Sequence, residues 1–354
     1  MSANDIAIVG WGMTKPVAQS GQTEPTLCLQ ANNAALAGAG IEREQIGFTC
    51  SGSCDYLSGG PFVFVQNLEA AVAWPPISES HVEMDGAWAL YEAWVRLHHG
   101  DLEYALVYGS GKSSPSNAPT LYPSQLDPYY LGSVGLDPQS IAGLQARALL
   151  DSGKATERDF AEVVARSMAN AKSNPNAQVS GDLDVDELLK AAYTRAPLRA
   201  HDSAPISDGA AALVLARGDV AKERHPNAVF IAGIDHRIEP HQPGMRDLTS
   251  SSSTALAAKK AGVDKGKVDV VEVNAAFSPQ ELILREALGV TNGTSVNPSG
   301  GSLAGNPVMA TGLIRIIEAA SRVADGSAGR AVAHATNGQG LQHNLVCVLE
   351  GATS

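Results

Sequence analysis

Cysteine is scarce in this chain, with only Cys28, Cys50, Cys54 and Cys347 among 354 residues. That is too few for a disulfide scaffold. Cys50 and Cys54 also lack histidine partners at metal-knuckle spacing, so a reducing, cytoplasmic setting is expected. Basic residues are also few: 25 Lys and Arg stand against 37 Asp and Glu, a formal net charge of −12. A general nucleic-acid binder needs a basic footprint, and this composition excludes one. A local pocket can still hold an anionic ligand. No apolar run approaches the ~18 residues of a membrane span. The opening MSANDIAIVGWG has no basic stretch ahead of an apolar core, so it is expected to be a first strand and not a signal peptide. Glycine (35) and proline (19) are present at levels that exclude collagen-like and low-complexity chains.

A chain of this length holds two domains or one intertwined unit. Short β-branched and apolar runs at Ile6–Val9, Tyr104–Tyr108, Ala211–Leu215, Val229–Ala232, Val268–Val273, Ala331–Ala335 and Leu345–Leu349 predict strands. Helical periodicity lies between several of them, at Pro25–Ala39, Gly86–His99, Thr254–Ala261, Pro279–Leu288 and Met309–Val323. Such alternation implies an α/β fold. A repeat is visible too. Ala39-Gly40-Ile41 and Ala261-Gly262-Val263 each follow an Ala-rich helix and precede a strand at the same spacing, with the glycine placed as a C-cap. Between the copies, from about Ser113 to His201, the sequence changes character. A Ser/Pro/Asn-rich opening (Ser113–Asn117) leads into helical segments around Pro138–Leu150, Glu157–Ala171 and Asp184–Ala192. This reads either as an insert over a site or as a surface cap without a ligand role.

Several stretches could carry chemistry. Glu83 and Asp85 precede the helix that begins at Gly86. Asp85 is read as its cap, and Glu83, just outside the helix, could point into a site. The loop Asn297-Pro298-Ser299-Gly300-Gly301-Ser302-Leu303-Ala304-Gly305-Asn306-Pro307 is rich in small residues, which let a ligand approach the backbone. It lacks the spacing of a phosphate-binding loop, and a tight turn explains it as well. His334 ends the predicted strand before the turn that contains Gly338, where a general acid or base can reach a cleft; a hydrogen-bonded structural role is the plain alternative. His236 and His241 have no acidic or cysteine partner at ligand spacing, so no metal is expected.

Four stretches together resemble the thiolase superfamily, in its sterol-carrier or lipid-transfer-protein branch. They are Ile6–Thr14, the Ser207-Asp208-Gly209-Ala210-Ala211-Ala212 segment, the Asn297–Pro307 loop, and Gly338–Asn344. The resemblance spans essentially the whole chain. It implies duplicated βαβαβαββ halves in a five-layer α/β/α/β/α arrangement with an inserted loop domain. The halves would be residues 1–112 plus 201–217 and residues 218–354, with the loop domain at 113–200. It further implies coenzyme A as part of the substrate, lying against Ser299, Gly300, Gly301 and Gly338, and no tightly bound cofactor. The expected partners are a thiolase-like chain in a homo- or hetero-dimer and an OB-fold acyl-CoA-binding protein.

The catalytic positions depart from the family pattern. Glu83 stands where thiolases carry the nucleophilic cysteine. Asn306 replaces the histidine of Gly-His-Pro, His334 falls at the second cysteine, and Asn274-Ala275-Ala276-Phe277 replaces Asn-Glu-Ala-Phe. A carboxylate cannot serve as the acyl acceptor of thiolysis, because it would form a reactive anhydride. Two readings follow. In one, the chain resembles thiolase-like aldolases of steroid side-chain breakdown, which split a β-hydroxyacyl-CoA by a retro-aldol step. Glu83 or His334 would then be base or acid, and Asn306 and Asn274 would donate to the enolate oxygen. In the other, the chain is a pseudo-thiolase subunit that scaffolds a catalytic partner. Polar groups at Glu83, Asn306 and His334 favour the enzyme. Incubation with acetyl-CoA or acetoacetyl-CoA and then intact-mass measurement should show no added acyl group. An acetyl adduct on any cysteine would overturn the assignment of Glu83.

Overall fold

In the computed structural model, which describes residues 5–70, 77–116 and 118–352, apolar side chains alternate along the central strands and sort the core into layers. The first four residues, residues 71–76, the last two and Asn117, included above in the domain ranges and the start of the insert, lie outside the described residues. The chain begins with β1 (Ile6–Met13), α1 (Glu24–Ala39), β2 (Ile46–Gly52), α2 (Asp55–Ser58), α3 (Gln66–Ala70), β3 (Ser78–Val82), α4 (Gly86–Leu97) and β4 (Tyr104–Lys112). There follow α5 (Ala118–Ser124), α6 (Pro138–Asp151), α7 (Glu157–Ala171), α8 (Val185–Lys190) and the small pair β5 (Tyr193–Arg195) and β6 (Leu198–Arg199). The remainder is β7 (Asp208–Arg217), α9 (Gly218–Arg224), β8 (Val229–Ile238), α10 (Ser252–Ala261), β9 (Val270–Val273), α11 (Ser278–Ala287), β10 (Ser295–Val296), α12 (Thr311–Ala324), β11 (Arg330–Asn337) and β12 (His343–Gly351).

Ten strands form one continuous sheet in the order β10-β9-β11-β12-β8-β1-β7-β4-β2-β3. It consists of two series of five with the same internal order, joined where β1 meets β8 antiparallel at Ala7–Phe230 and Ile8–Val229. In each series a parallel trio is closed by an antiparallel strand: β4 pairs β7 as β11 pairs β12. The duplication read from the Ala-Gly joints is therefore a duplication of topology. Gly40 (φ 65°) and Gly262 (φ 79°) are the left-handed C-caps of α1 and α10, a conformation that disfavours a side chain.

Period-two alternation assigns the layers. Ile6 and Ile8 of β1, Leu213 and Leu215 of β7, and Ala331, Ala333 and Ala335 of β11 face a central core built on α4 and α12. Ala7 and Val9 face the outer helix α1, and Val332, Val346 and Val348 face α10 and α11. The sequence of layers is thus helix, sheet, paired central helices, sheet, helix, a mixed α/β architecture. Backbone contact at the centre is very close. A Cβ on Gly111 would lie 2.0 Å from the Val308 carbonyl oxygen, and one on Gly109 2.7 Å from that of Met309. Glycine at these two places lets the segment before α12 cross the end of β4, and Met309 itself takes φ 78°.

Asp85 joins the two central helices. Its carboxylate accepts from Ala87 N (2.9 Å) at the start of α4 and from Gly312 N (2.9 Å) and Leu313 N (3.1 Å) at the start of α12. One anion thus occupies two helix N-termini, where unpaired N–H groups and both dipoles favour it. Burial pushes this carboxyl up to about 6 against the pull of those donors. Asp85→Asn keeps the size but turns an N–H₂ toward backbone donors. It should cost about 1–3 kcal/mol, measured as a lowered urea midpoint at unchanged denaturant slope.

Candidate active site

Glu83 sits between β3 and the cap of α4, with its side chain 47% exposed. Its Oε1 accepts from Asp55 N at 2.8 Å, and its Oε2 lies 3.6 Å from His81 Nε2. His81 is stacked on Phe64 (3.9 Å between centroids), and its Nδ1 is 2.8 Å from Ser51 Oγ. The Cys54 thiol adjoins this group. Burial pushes it up to about 11, and the Glu83 carboxylate pushes in the same direction. Cys54 packs with Leu57 and Met309, and Leu121 and Tyr122 of α5 close over them. Burial and the nearby Cys54 push the Tyr122 phenol up to about 12, so it stays a proton donor at neutral pH. Gln339 Nε2, in the β11–β12 turn, donates to the Tyr122 carbonyl at 2.9 Å. The insert thus contributes a tyrosine beside Cys54.

Asn306 lies on the loop that carries Met309 to Cys54. Its N–H donates to Ser207 Oγ (2.8 Å), and its Oδ1 accepts from Thr311 Oγ1 (2.8 Å). The Asn306 side-chain NH₂ has no protein acceptor among the described residues. Asn274 is buried after β9. Its Oδ1 accepts from Ser302 Oγ (3.0 Å), and its N–H donates to the His334 carbonyl (3.2 Å).

His334 is placed otherwise than the sequence suggested. It is inside β11 and fully buried, on the same strand face as Val332, toward the outer helices. Asn344 donates through Nδ2 to Ser253 Oγ and the Leu341 carbonyl, which leaves its Oδ1 to accept from His334 Nε2 at 3.0 Å. The proton is therefore on Nε2, and the buried Nδ1 has no partner among the described residues. Burial pushes this imidazole down to about 4. No hydrogen bond or ion pair links His334 with Glu83 or Asn306 among the described residues.

The glycine-rich loop is also occupied with packing. Ser299 Oγ and N–H both donate to the Glu272 carboxylate (2.6 and 3.0 Å), and Arg315 donates to Glu272 Oε2 at 2.8 Å, all of it buried. Gly300 (φ 98°) lies so near α7 that a Cβ would be 2.7 Å from Ala171 Cβ, and Gly301 (φ 65°) abuts Asn297. Of the positions assigned to coenzyme A, only Gly338 is exposed.

His81, Asp55, Cys54 and Tyr122 were not singled out in the sequence. His81 and Glu83 are two residues apart, on one face of an extended segment, which was a readable signal. The other three come from distant segments.

Comparison with known proteins accords with this geometry. Residues 234–349 match the thiolase C-terminal domain. The chain is 26% identical to an acetyl-CoA acetyltransferase of Methanothermobacter thermautotrophicus, covering 96% of both chains. It is 29% identical to sterol carrier protein 2 of Gallus gallus, over 96% of this chain and 69% of that one. Among solved structures, the Ltp2-ChsH2(DUF35) aldolase superposes with a TM-score of 0.82 at 20% identity, covering 98% of each chain. The duplicated halves and paired central helices are a thiolase fold, and the similarities along the chain support a thiolase-superfamily protein of the sterol-carrier type.

Proposed function

We propose that this chain is a thiolase-like carbon–carbon lyase that cleaves a β-hydroxyacyl-CoA by a retro-aldol step, without a covalent acyl intermediate. One observation carries the reading: Glu83 is a half-exposed carboxylate at the head of α4, the position to which the family resemblance assigns the nucleophilic cysteine. All four cysteines are buried. Burial pushes Cys28, Cys50 and Cys347 up to about 12 and Cys54 to about 11, so none supplies a thiolate at neutral pH. The carboxylate removes the β-hydroxyl proton. The Cα–Cβ bond breaks as the β-carbonyl forms, and its electron pair passes into the thioester enolate. The enolate oxygen is within the chemistry of the Asn306 NH₂ and the Tyr122 O–H, and a proton returns to Cα to release the shorter acyl-CoA. A steroid side-chain ester is the substrate class we favour, because of the likeness to the sterol-carrier branch and to a solved aldolase of this fold.

A second reading is a non-catalytic thiolase-like subunit. Two observations favour it: His334 is sealed away from Glu83, and β3, at the end of the sheet, pairs only with β2 among the described residues. An open strand edge is a place for another chain to add. The partner would be a second thiolase-like chain or an OB-fold acyl-CoA-binding protein, and the two-component name of the Ltp2-ChsH2(DUF35) aldolase supports a hetero-complex.

The chain, alone and co-expressed with candidate partners, should release an aldehyde or ketone plus acyl-CoA from a β-hydroxyacyl-CoA. Glu83→Gln should slow that release by about 10²–10⁴-fold without a change in melting temperature. An unchanged rate would move the chemistry to the partner. His334→Gln should act on stability instead. A histidine whose folded value lies below its unfolded one contributes stability that is fully present above about pH 6.5. That contribution is lost as pH falls toward the folded value of about 4, some ~3 kcal/mol in all. The stability gap between wild type and variant should therefore narrow from pH 7 to pH 4. Asp85 titrates in both proteins and cancels from the difference.

A further inference from the structure

We propose that Asp55, His81 and Glu83 form a divalent-cation site that ties the segment around α2 to the edge strand β3. The three residues each offer one ligand atom, and these atoms all lie within 4.8 Å of one another. His81 Nε2 and Glu83 Oε2 are 3.6 Å apart. That is too long for a hydrogen bond and close to the ~3.4 Å between two ligands that each sit about 2.1 Å from a tetrahedral ion.

The surroundings orient all three ligands. Ser51 Oγ holds His81 Nδ1 at 2.8 Å, which turns Nε2 toward the carboxylates, and Nε2 is buried with no hydrogen-bond partner among the described residues. Metal-bound histidines are usually held in this way by a polar group on the other ring nitrogen. Phe64 fixes two ligands at once: its ring stacks on His81, and its N–H donates to Asp55 Oδ1 at 3.2 Å. The Asp55 N–H holds Glu83 Oε1 and turns Oε2 toward His81. Charge gives an independent argument. Asp55 is only 7% exposed, and neither carboxylate forms an ion pair with a lysine or arginine among the described residues. Two carboxylates brought together without a counter-charge favour a cation between them. One imidazole with two carboxylates suits a first-row divalent ion such as Zn²⁺ or Co²⁺.

A bound ion would take the Glu83 oxygen that the proposed cleavage uses as a base, so cation binding and proton abstraction compete. The site is nevertheless tested by binding alone. The full-length, tag-free chain is stripped with chelator and titrated with CoCl₂ by visible absorption, then with ZnCl₂ by calorimetry. One equivalent per chain is expected, with Zn²⁺ displacing Co²⁺ and raising the melting temperature. Glu83→Gln and His81→Ala should each weaken Zn²⁺ by more than about tenfold, and Ser51→Ala by about 10–100-fold. Glu83 is half exposed, so its variant keeps the test valid if His81→Ala fails to fold. No saturable binding at millimolar CoCl₂ would overturn the site and leave a His81–Glu83 ion pair in its place. Binding undiminished in the folded variants would overturn it equally. A chain that binds the ion but cleaves nothing refutes only the lyase reading, and one that cleaves but does not bind refutes only the site.

Discussion

The architecture turns on one buried carboxylate. Asp85 accepts from the first turns of α4 and α12, helices that begin more than two hundred residues apart in sequence. A helix N-terminus buried without a partner leaves costly orphan donors. A shared anion resolves two such ends at once and fixes the distance between them. Glu83 stands two residues before that anion, and Asn306 and Met309 lie just ahead of the second helix. The relative placement of the candidate base and the candidate enolate donor therefore follows from the cap. Gly86 N donates to the Met309 carbonyl at 2.8 Å and closes the same junction from the other side. The missing side chains at Gly109 and Gly111 let the two backbones come that close.

The glycine-rich loop shows how a ligand-like motif can be spent on packing. Its serine completes a buried Glu272–Arg315 ion pair. Such a pair is held only while each charge keeps its hydrogen bonds. Its glycines let α7 of the insert lie against the second half. The loop thus fastens the insert, and the insert in turn brings α5 and Tyr122 over Cys54. Here the motif acts on the site at one remove, through the position of a helix.

Much of this frame was legible in the sequence. Helical periodicity located α1, α4, α10, α11 and α12, because each has a face that must be buried. The Gly40 and Gly262 caps marked the repeat, and Asp85 read correctly as the cap of α4. Its second helix could not be read, since no local pattern encodes a contact made 227 residues away. The placement of His334 was readable but missed. In Ala331-Val332-Ala333-His334-Ala335 the alanines alternate with larger residues, and the side chain beside Val332 belongs to the outer face. Glu83 was visible at a helix start. The groups around it come from β2, β3 and α2, and only the folded sheet brings them together.

Exposure is what separates the chemistry open to this site from that of a thiolase. A thiol becomes a nucleophile when its environment stabilises the thiolate. Cys54 lies beside the right position, but burial and the Glu83 charge both stabilise its neutral form. The carboxylate that suppresses the thiol is itself half open to solvent, with Oε1 held by the Asp55 N–H. In the proposed lyase, Glu83 at the head of α4 stands in for a nucleophile, and its charge also holds the nearest sulfur, Cys54, in its neutral form. Proton transfer and cation binding are then the two roles we propose for the same carboxylate.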